Sequence, residues 1–133
     1  MFLNGAAMRG GPLHHQLRGA PLVRTARTAP RYRYWSVGDR FPAMQEVGSS
    51  SGWSGCSGCS VRGEVYDVPL EVLLHHLLPA EPPELELGVV ELDDGTACLA
   101  TVLRRRYEGC GELADISGIG DWRAYRAGRT SDD

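Results

Sequence analysis

The first stretch of the chain has the residue types and spacing of an anion site built from backbone. A short apolar run leads into Asn4 and Gly5, and a loop of small residues then reaches Pro12. Proline is well tolerated at the first helical position, so this order predicts a strand, a tight loop and a helix start. Such a junction leaves several N–H groups unpaired, and a helix dipole adds partial positive charge. We therefore predict that a carboxylate binds to the backbone of five consecutive residues: Asn4, Gly5, Ala6, Ala7 and Met8.

Other anion-binding motifs do not fit this loop. Its glycines lack the G-x-G-x-x-G spacing of a dinucleotide site. A P-loop is excluded because the chain contains no lysine. The alternative that stays open is an ordinary connection in which the glycines only turn the chain.

Cysteine and histidine residues offer a second kind of chemistry, which the spacing does not favour. Cys56 and Cys59 form a C-x-x-C pair, which could supply half of a tetrahedral zinc site. Cys98, Cys110 and the histidine pairs at 14–15 and 75–76 lack the spacing to complete it. The pair also lies in a Ser/Gly-rich stretch, where a redox motif is not expected. We predict a plain loop there, with no metal and no cofactor. No cysteine of the chain lies in a nucleophile signature.

Strands dominate the elements that must position the loop. Strand-compatible runs occur at 22–28, 32–37, 43–47 and 61–68, and Asp94-Gly95 predicts a two-residue hairpin turn between 87–92 and 96–103. Runs of strands with few helices favour an α+β domain over a doubly wound sheet. We predict one domain over residues 1–126 and a frayed polar tail over 127–133.

Two helices besides the one at Pro12 are predicted. The first begins at Pro69, and its leucines at i, i+3, i+4 and i+7 indicate one buried face: Leu70, Leu73, Leu74 and Leu77. The second is a short closing helix over 121–126. Between the hairpin and that closing helix, residues 109–120 contain four glycines and are predicted to be loop.

The totals exclude several classes of protein. The chain has 133 residues, 42% of them hydrophobic and 23% charged, with a net charge of −3. An acidic chain lacks the basic face that nucleic-acid binding usually needs. No segment approaches the roughly 18 apolar residues of a membrane span, and no signal peptide is recognisable. We therefore expect a cytoplasmic protein with reduced cysteines, binding neither nucleic acid nor membrane.

Five segments, in chain order, carry a resemblance that covers nearly the whole sequence. The opening FLNGAAMRGGPLHHQL is followed by TAPRYR at 28–33, GEVY at 63–66, GVVELDDG at 88–95, and ADIS with WRAY at 114–125. This series resembles the γ-glutamylcyclotransferase-like families, and most of all the carboxy-terminal domain of allophanate hydrolases. The resemblance implies a γ-glutamylcyclotransferase-like fold, a small mixed β-barrel or sheet with a few helices, and an opening loop that holds the substrate.

The resemblance also implies a catalytic base. In γ-glutamylcyclotransferase-like enzymes one glutamate follows the helix after a G-x-[LV]-Y strand and takes a proton from the substrate amine. Glu81 occupies the comparable place here, while Glu84 and Glu86 compete for it. A buried glutamate can be tuned toward neutral pH by desolvation, which suits acid–base catalysis. The alternative is a solvated glutamate in a Pro-rich loop.

Two departures from the families limit what the resemblance implies. Ala7 stands where allophanate hydrolases have a histidine, and Asn4 stands where cyclotransferases usually have a tyrosine. The interpretation is therefore a small-molecule enzyme acting at C–N bonds of a γ-glutamyl amine or a urea-type carboxylated substrate. The alternative is a non-catalytic ligand-binding module or partner subunit that uses the same loop.

Overall fold

The computed structural model describes residues 1–47, 58–107, 111 and 113–131. Within these residues the chain forms eight strands, separated by short helical segments and turns. The strands are β1 (Phe2–Leu3), β2 (Leu22–Arg27), β3 (Tyr32–Val37), β4 (Phe41–Glu46), β5 (Arg62–Tyr66), β6 (Leu85–Glu91), β7 (Ala97–Leu103) and β8 (Leu113–Asp115).

The helical segments are few, as the sequence predicts. One continuous helix between β5 and β6 consists of α1 (Leu70–Val72), a π turn (Leu73–Leu77) and α2 (Leu78–Ala80). The chain closes with α3 (Trp122–Ser131). Two 3-10 turns, His14–Leu17 and Arg105–Tyr107, complete the described helical structure.

The strands form three small open sheets in which every pairing is antiparallel. Their strand orders are β1-β5-β2, β4-β3-β8 and β6-β7. Isolated bridges from Thr28 to Leu92 and from Tyr32 to Cys59 connect neighbouring sheets. The predicted α+β class is confirmed, with strands in open sheets and helices between them.

The core consists of two clusters that meet at β3. Tyr34 belongs to the larger cluster with Phe2, Met44 and Leu77, whereas Trp35 belongs to the smaller one with Phe41, Leu85 and Leu103. Because successive side chains of a strand point to opposite faces, one buried strand can serve both clusters. β3 therefore lies between the two halves of the interior.

Four local predictions are wrong in detail. The helix expected at Pro12 is a single 3-10 turn that begins at His14. The closing helix continues to Ser131, beyond the predicted end at 126, so the tail is helical over most of its length. Strand β8 lies within the stretch predicted to be loop, where it pairs with β3. The hairpin loop has three residues, because Leu92 pairs with Thr96 and Gly95 takes a φ of +88°.

The predicted apolar face of the helix between β5 and β6 is only half right. Leu73 and Leu77 are buried, while Leu70 is 76% exposed and Leu74 is 61% exposed. The N–H of Leu78 donates to the carbonyl of Leu73, five residues back, so this turn is wider than an α turn. A widened turn rotates the residues before it out of the register that the leucine spacing assumes.

None of the described helices is long and apolar enough to cross a membrane. Across the described residues, no three His, Cys, Asp or Glu side chains lie together in a way that could hold a metal ion. Cys56 of the C-x-x-C pair lies outside the described residues, so the expectation of a plain loop there stays a prediction.

Candidate functional site

The predicted loop and Glu81 line the same cavity. Its volume is about 210 Å³, and its wall contains Asn4, Gly5, Ala6 and Ala7 together with Glu81. Most of the remaining lining is apolar, contributed by Leu3, Pro12, Leu13, Phe41, Pro42, Ala80, Pro82 and Leu85. A small, largely apolar cavity with a few polar groups is the usual form of a small-molecule site.

Two consecutive turns shape the loop. The N–H of Met8 donates to the carbonyl of Gly5 at 3.1 Å, and the N–H of Gly11 donates to the carbonyl of Met8 at 2.8 Å. The N–H of Leu13 closes the loop by donating to the carbonyl of Ala6 at 2.9 Å. None of the described residues accepts a hydrogen bond from the N–H of Gly5, Ala6 or Ala7. The loop thus carries three consecutive donors that an anionic group could use.

Glycine is required at two points of this loop by close backbone and side-chain approaches. A Cβ on Gly11 would lie 2.2 Å from the carbonyl oxygen of Ala6, and one on Gly5 would lie 2.7 Å from Cγ of Pro42. Both distances are shorter than any real contact allows. The absence of side chains lets the loop fold back on itself and press against the start of β4.

Buried polar groups in the protein interior hold the loop in place. The hydroxyl of Tyr34 donates to the carbonyl of Asn4 at 2.9 Å and lies 3.1 Å from its side-chain oxygen. Tyr34 is fully buried, and burial raises the pKa of its hydroxyl well above the ordinary value. The hydroxyl therefore stays a neutral donor that fixes Asn4 in the cavity wall. Of the five predicted binding residues, all but Met8 line this cavity.

Glu81 owes its position to the helix end and to the proline that follows it. The helix ends at Ala80, and Glu81 takes an extended conformation with φ −78° and ψ 149°. Proline disfavours the helical conformation in the residue before it, so Pro82 fixes this change of direction. Pro79 has no N–H to continue the helix, and its ring would crowd the carbonyl four residues back.

The environment of Glu81 shifts its ionisation toward neutral pH. Burial raises the pKa of its carboxyl from 4.5 to about 7. A carboxyl with a pKa near 7 can both accept and return a proton at neutral pH. Glu81 is partly buried, which favours a desolvated carboxyl over the solvated loop glutamate that the sequence left open as the alternative.

The competing glutamates have other partners. Glu86 is exposed and pairs with Arg104 at 3.3 Å, and neither Glu84 nor Glu86 lines the Glu81 cavity. Glu84 is mostly buried and lies 3.2 Å from the guanidinium of Arg40.

The carboxylate of Glu64 is buried and contacts the loop at Arg9. Its Oε1 accepts hydrogen bonds from the N–H of Arg9 and the hydroxyl of Tyr66, both at 2.8 Å. Its Oε2 lies 2.8 Å from Nη2 of Arg123, an ion pair with poor hydrogen-bond geometry. Burial alone would raise the pKa of Glu64, but these contacts outweigh it and the pKa falls below its usual range. Glu64 thus stays charged and joins the loop to α3.

Among the described residues that line the cavity, one charged residue besides Glu81 was not predicted from the sequence. Arg40 follows the β3–β4 turn, pairs with Glu84 and lies with its guanidinium 5.1 Å from the centre of the Phe41 ring. Its only sequence signal is a charge beside the Gly38-Asp39 turn, which is typical of a solvated loop.

A larger cavity of about 350 Å³ lies between β2, β5 and the start of α3. Three of its arginines, Arg24, Arg27 and Arg123, already pair with carboxylates. We place the candidate site in the smaller cavity, because there the unpaired loop amides and the perturbed glutamate come together.

Comparison with known proteins identifies the family and the fold of the chain. The sequence profile of the allophanate hydrolase C-terminal domain family matches residues 1–127. The chain belongs to this family. The crystal structure of c4763, a uropathogenic Escherichia coli-specific protein, is 32% identical with a TM-score of 0.81, and the match covers 95% of this chain and 93% of that one. No protein of curated function matches the chain at a significant level.

More distant structures show the same fold. Kluyveromyces lactis allophanate hydrolase is 24% identical with a TM-score of 0.79, and the match covers 93% of this chain but 20% of that enzyme. YkqA from Bacillus subtilis is 18% identical with a TM-score of 0.71, and the match covers 98% of this chain and 42% of that one. The chain thus spans about one fifth of the hydrolase. The predicted γ-glutamylcyclotransferase-like fold is confirmed.

Proposed function

We propose that the protein is a small-molecule enzyme that acts at a C–N bond of a carboxylated substrate, with Glu81 as the acid–base group. The observation that carries this proposal is the shared cavity, in which a carboxyl with a pKa of about 7 lies with three unpaired loop amides. Membership of the allophanate hydrolase C-terminal domain family supports a urea-type compound, and the γ-glutamylcyclotransferase-like fold supports a γ-glutamyl amine.

In the proposed reaction the two parts of the site have separate roles. The amides of Gly5, Ala6 and Ala7 hold a carboxylate of the substrate, which orients the reacting carbonyl. For a γ-glutamyl amine, ionised Glu81 takes a proton from the α-amine as that nitrogen attacks the γ-carbonyl. A new C–N bond closes the ring, the original C–N bond breaks, and Glu81 returns its proton to the leaving amine. One C–N bond forms, one breaks and the proton is returned, so the reaction needs no external oxidant or cofactor.

Ala7 gives the loop a methyl group where allophanate hydrolases have a histidine. In a urea-type reaction at this site, all side-chain proton transfer would therefore fall to Glu81. The alternative function, a non-catalytic ligand-binding module or partner subunit, is favoured by the same substitution. It would retain the anion loop and use Glu81 only as part of the cavity wall.

The proposal is tested by assaying Glu81→Gln on γ-glutamyl amines and on allophanate. A general base typically contributes 10²–10⁴-fold to the rate, so we expect turnover to fall by about that factor while ligand binding changes little. Glu86→Gln is the matched control, because Glu86 is exposed and lies outside the cavity. Full activity in Glu81→Gln would reject the assigned base, and binding without any turnover by the wild type would favour the module.

A further inference from the structure

The Glu81 cavity contains a positively charged side chain in addition to the loop amides. Among the described residues that line it, Arg40 carries that charge, while the neighbouring wall is formed by Leu3, Phe41, Pro42 and Leu85. The proposed function uses the loop amides for one carboxylate and Glu81 for proton transfer. It gives Arg40 no role.

The turn that carries Arg40 is fixed by several contacts at the preceding residue. Asp39 takes a φ of +59°, a left-handed conformation that aspartate adopts more readily than most residues. The hydroxyl of Ser36 donates to its carboxylate at 2.9 Å, and Arg126 donates to its carbonyl at 2.8 Å. Tyr125 of α3 also donates to the Asp39 carboxylate. Arg40 therefore follows a turn whose position is fixed before any ligand binds.

Glu84 and Phe41 are among the neighbours that orient the guanidinium itself. Glu84 lies 3.2 Å from its Nη2, and the Phe41 ring lies 5.1 Å from its carbon. A guanidinium has five N–H groups in a planar fork, so it can engage more than one carboxylate at a time. About half of the Arg40 side chain is exposed, which leaves it accessible to a ligand at the cavity mouth.

The loop and Arg40 are close enough for one short ligand to reach both. Gly5 of the loop abuts the ring of Pro42 in β4. Pro42 is only two residues from Arg40, a separation of at most roughly 7 Å between Cα atoms. The wall between them is apolar, so the part of the ligand that crosses it should be hydrocarbon.

We propose that Arg40 binds a second carboxylate of the ligand, so that the site selects compounds with a carboxylate at each end of a short apolar chain. This inference rests on the proposed function in one respect, since the loop holds the first carboxylate. In a γ-glutamyl compound the second carboxylate would belong to the leaving group, which would then be an amino acid and not a simple amine.

The test compares two probes of similar length, glutarate with two carboxylates and butyrate with one. Binding is measured by NMR titration at pH 6, where the Glu81 carboxyl is mostly protonated and repels neither probe. We expect the wild type to bind glutarate about tenfold more tightly than butyrate, and Arg40→Gln to lose that preference with butyrate affinity unchanged. Arg40→Lys should keep part of it, because charge remains but the fork is lost.

A matched control is available at Arg106. Its guanidinium also lies 5.1 Å from the centre of the next aromatic ring, that of Tyr107, but it does not line the cavity. Arg106→Gln should keep the wild-type preference. Equal binding of both probes by the wild type, an unchanged preference in Arg40→Gln, or the same loss in Arg106→Gln would each overturn the inference.

The outcome is separate from that of the catalytic proposal. A glutarate preference that depends on Arg40, together with no turnover of any substrate, would support the second carboxylate site and reject the enzyme. Turnover that depends on Glu81, together with no glutarate preference, would support the enzyme and reject the second carboxylate site.

Discussion

Glu81 is a carboxyl group held where its surroundings oppose ionisation. Burial raises its pKa from 4.5 to about 7. Between these two values the folded state binds more protons than the unfolded state, so stability falls as pH rises through that window. The loss of stability from ionising Glu81 is absent below about pH 4.5 and complete above pH 7. Such a cost is typical of a group kept for function and not for stability.

This linkage predicts that Glu81→Gln stabilises the protein at high pH. Glutamine is neutral at every pH, so the variant does not carry the cost of ionising a buried carboxyl. A shift of this size corresponds to roughly 3 kcal/mol in the free energy of unfolding. Urea unfolding should therefore show the variant more stable by up to about 3 kcal/mol at pH 8 and nearly equal to wild type at pH 4.

Glu86→Gln is the reference for that measurement. Glu86 is exposed and pairs with Arg104 on the surface. Surface pairs contribute little, so its stability difference should stay within about 1 kcal/mol at both pH values. A Glu81→Gln variant that is no more stable than wild type at pH 8 would show that the carboxyl is not desolvated.

Side chains at the site differ in how far the sequence could predict them. Glu81 follows a helix and precedes Pro82, so a sequence pattern fixes its place in the chain. Arg40 has no such pattern. Its place in the cavity depends on Tyr125 and Arg126, which hold the Asp39 turn from more than 80 residues away. Contacts at that separation are invisible to a reading of local spacing.

The loop between β1 and the first 3-10 turn is the element on which we propose that ligand binding depends. Its path requires Gly11 to lie against the carbonyl of Ala6, and Ala6 lines the cavity. Any side chain at Gly11 must push that carbonyl away.

Gly11→Ala should therefore impair the site more than the fold. We expect acetate or glutarate binding to weaken at least tenfold, because displacement of Ala6 disturbs the three unpaired amides. The free energy of unfolding should fall by about 1–3 kcal/mol, the usual range for a forced contact. NMR titration and urea unfolding of the same sample measure the two effects.

Gly118→Ala provides the comparison for this prediction. A Cβ there would meet no atom within 4 Å. Binding should be unchanged, and stability should change by no more than about 0.5 kcal/mol. Equal binding by Gly11→Ala and wild type would mean that the loop does not hold the ligand.

The elements show why pattern alone gave the fold class but not every boundary. Strands β2 to β7 were predicted because alternation and turn residues are local signals. The exposure of Leu70 and Leu74 was not predicted, because the π turn at Leu73–Leu77 changes the helical period. Strand β8 has three residues and exists through its pairing with β3. Short strands carry too few residues to show a period of their own.

At the scale of the whole molecule, the cavity depends on pieces that are distant in the sequence. The loop comes from residues 4–13, the turn and β4 from 40–42, the helix end from 80–82, and β7 contributes Thr101. Helix α3 supports both walls, since Arg123 pairs with Glu64 under the loop and Arg126 holds the turn before Arg40. The site is therefore a property of the complete fold, consistent with a family match over residues 1–127.

The most direct test of this account is the ionisation of Glu81 itself. In protein carrying ¹³C-labelled glutamate, the carboxyl signal of Glu81 can be followed against pH, with exposed Glu86 as the internal reference. We predict a midpoint near pH 7 for the free protein. With saturating acetate the midpoint should move higher, because a carboxylate bound at the loop disfavours a second negative charge nearby. A midpoint near 4.5 that does not respond to acetate would contradict the central claim that Glu81 and the loop form one site.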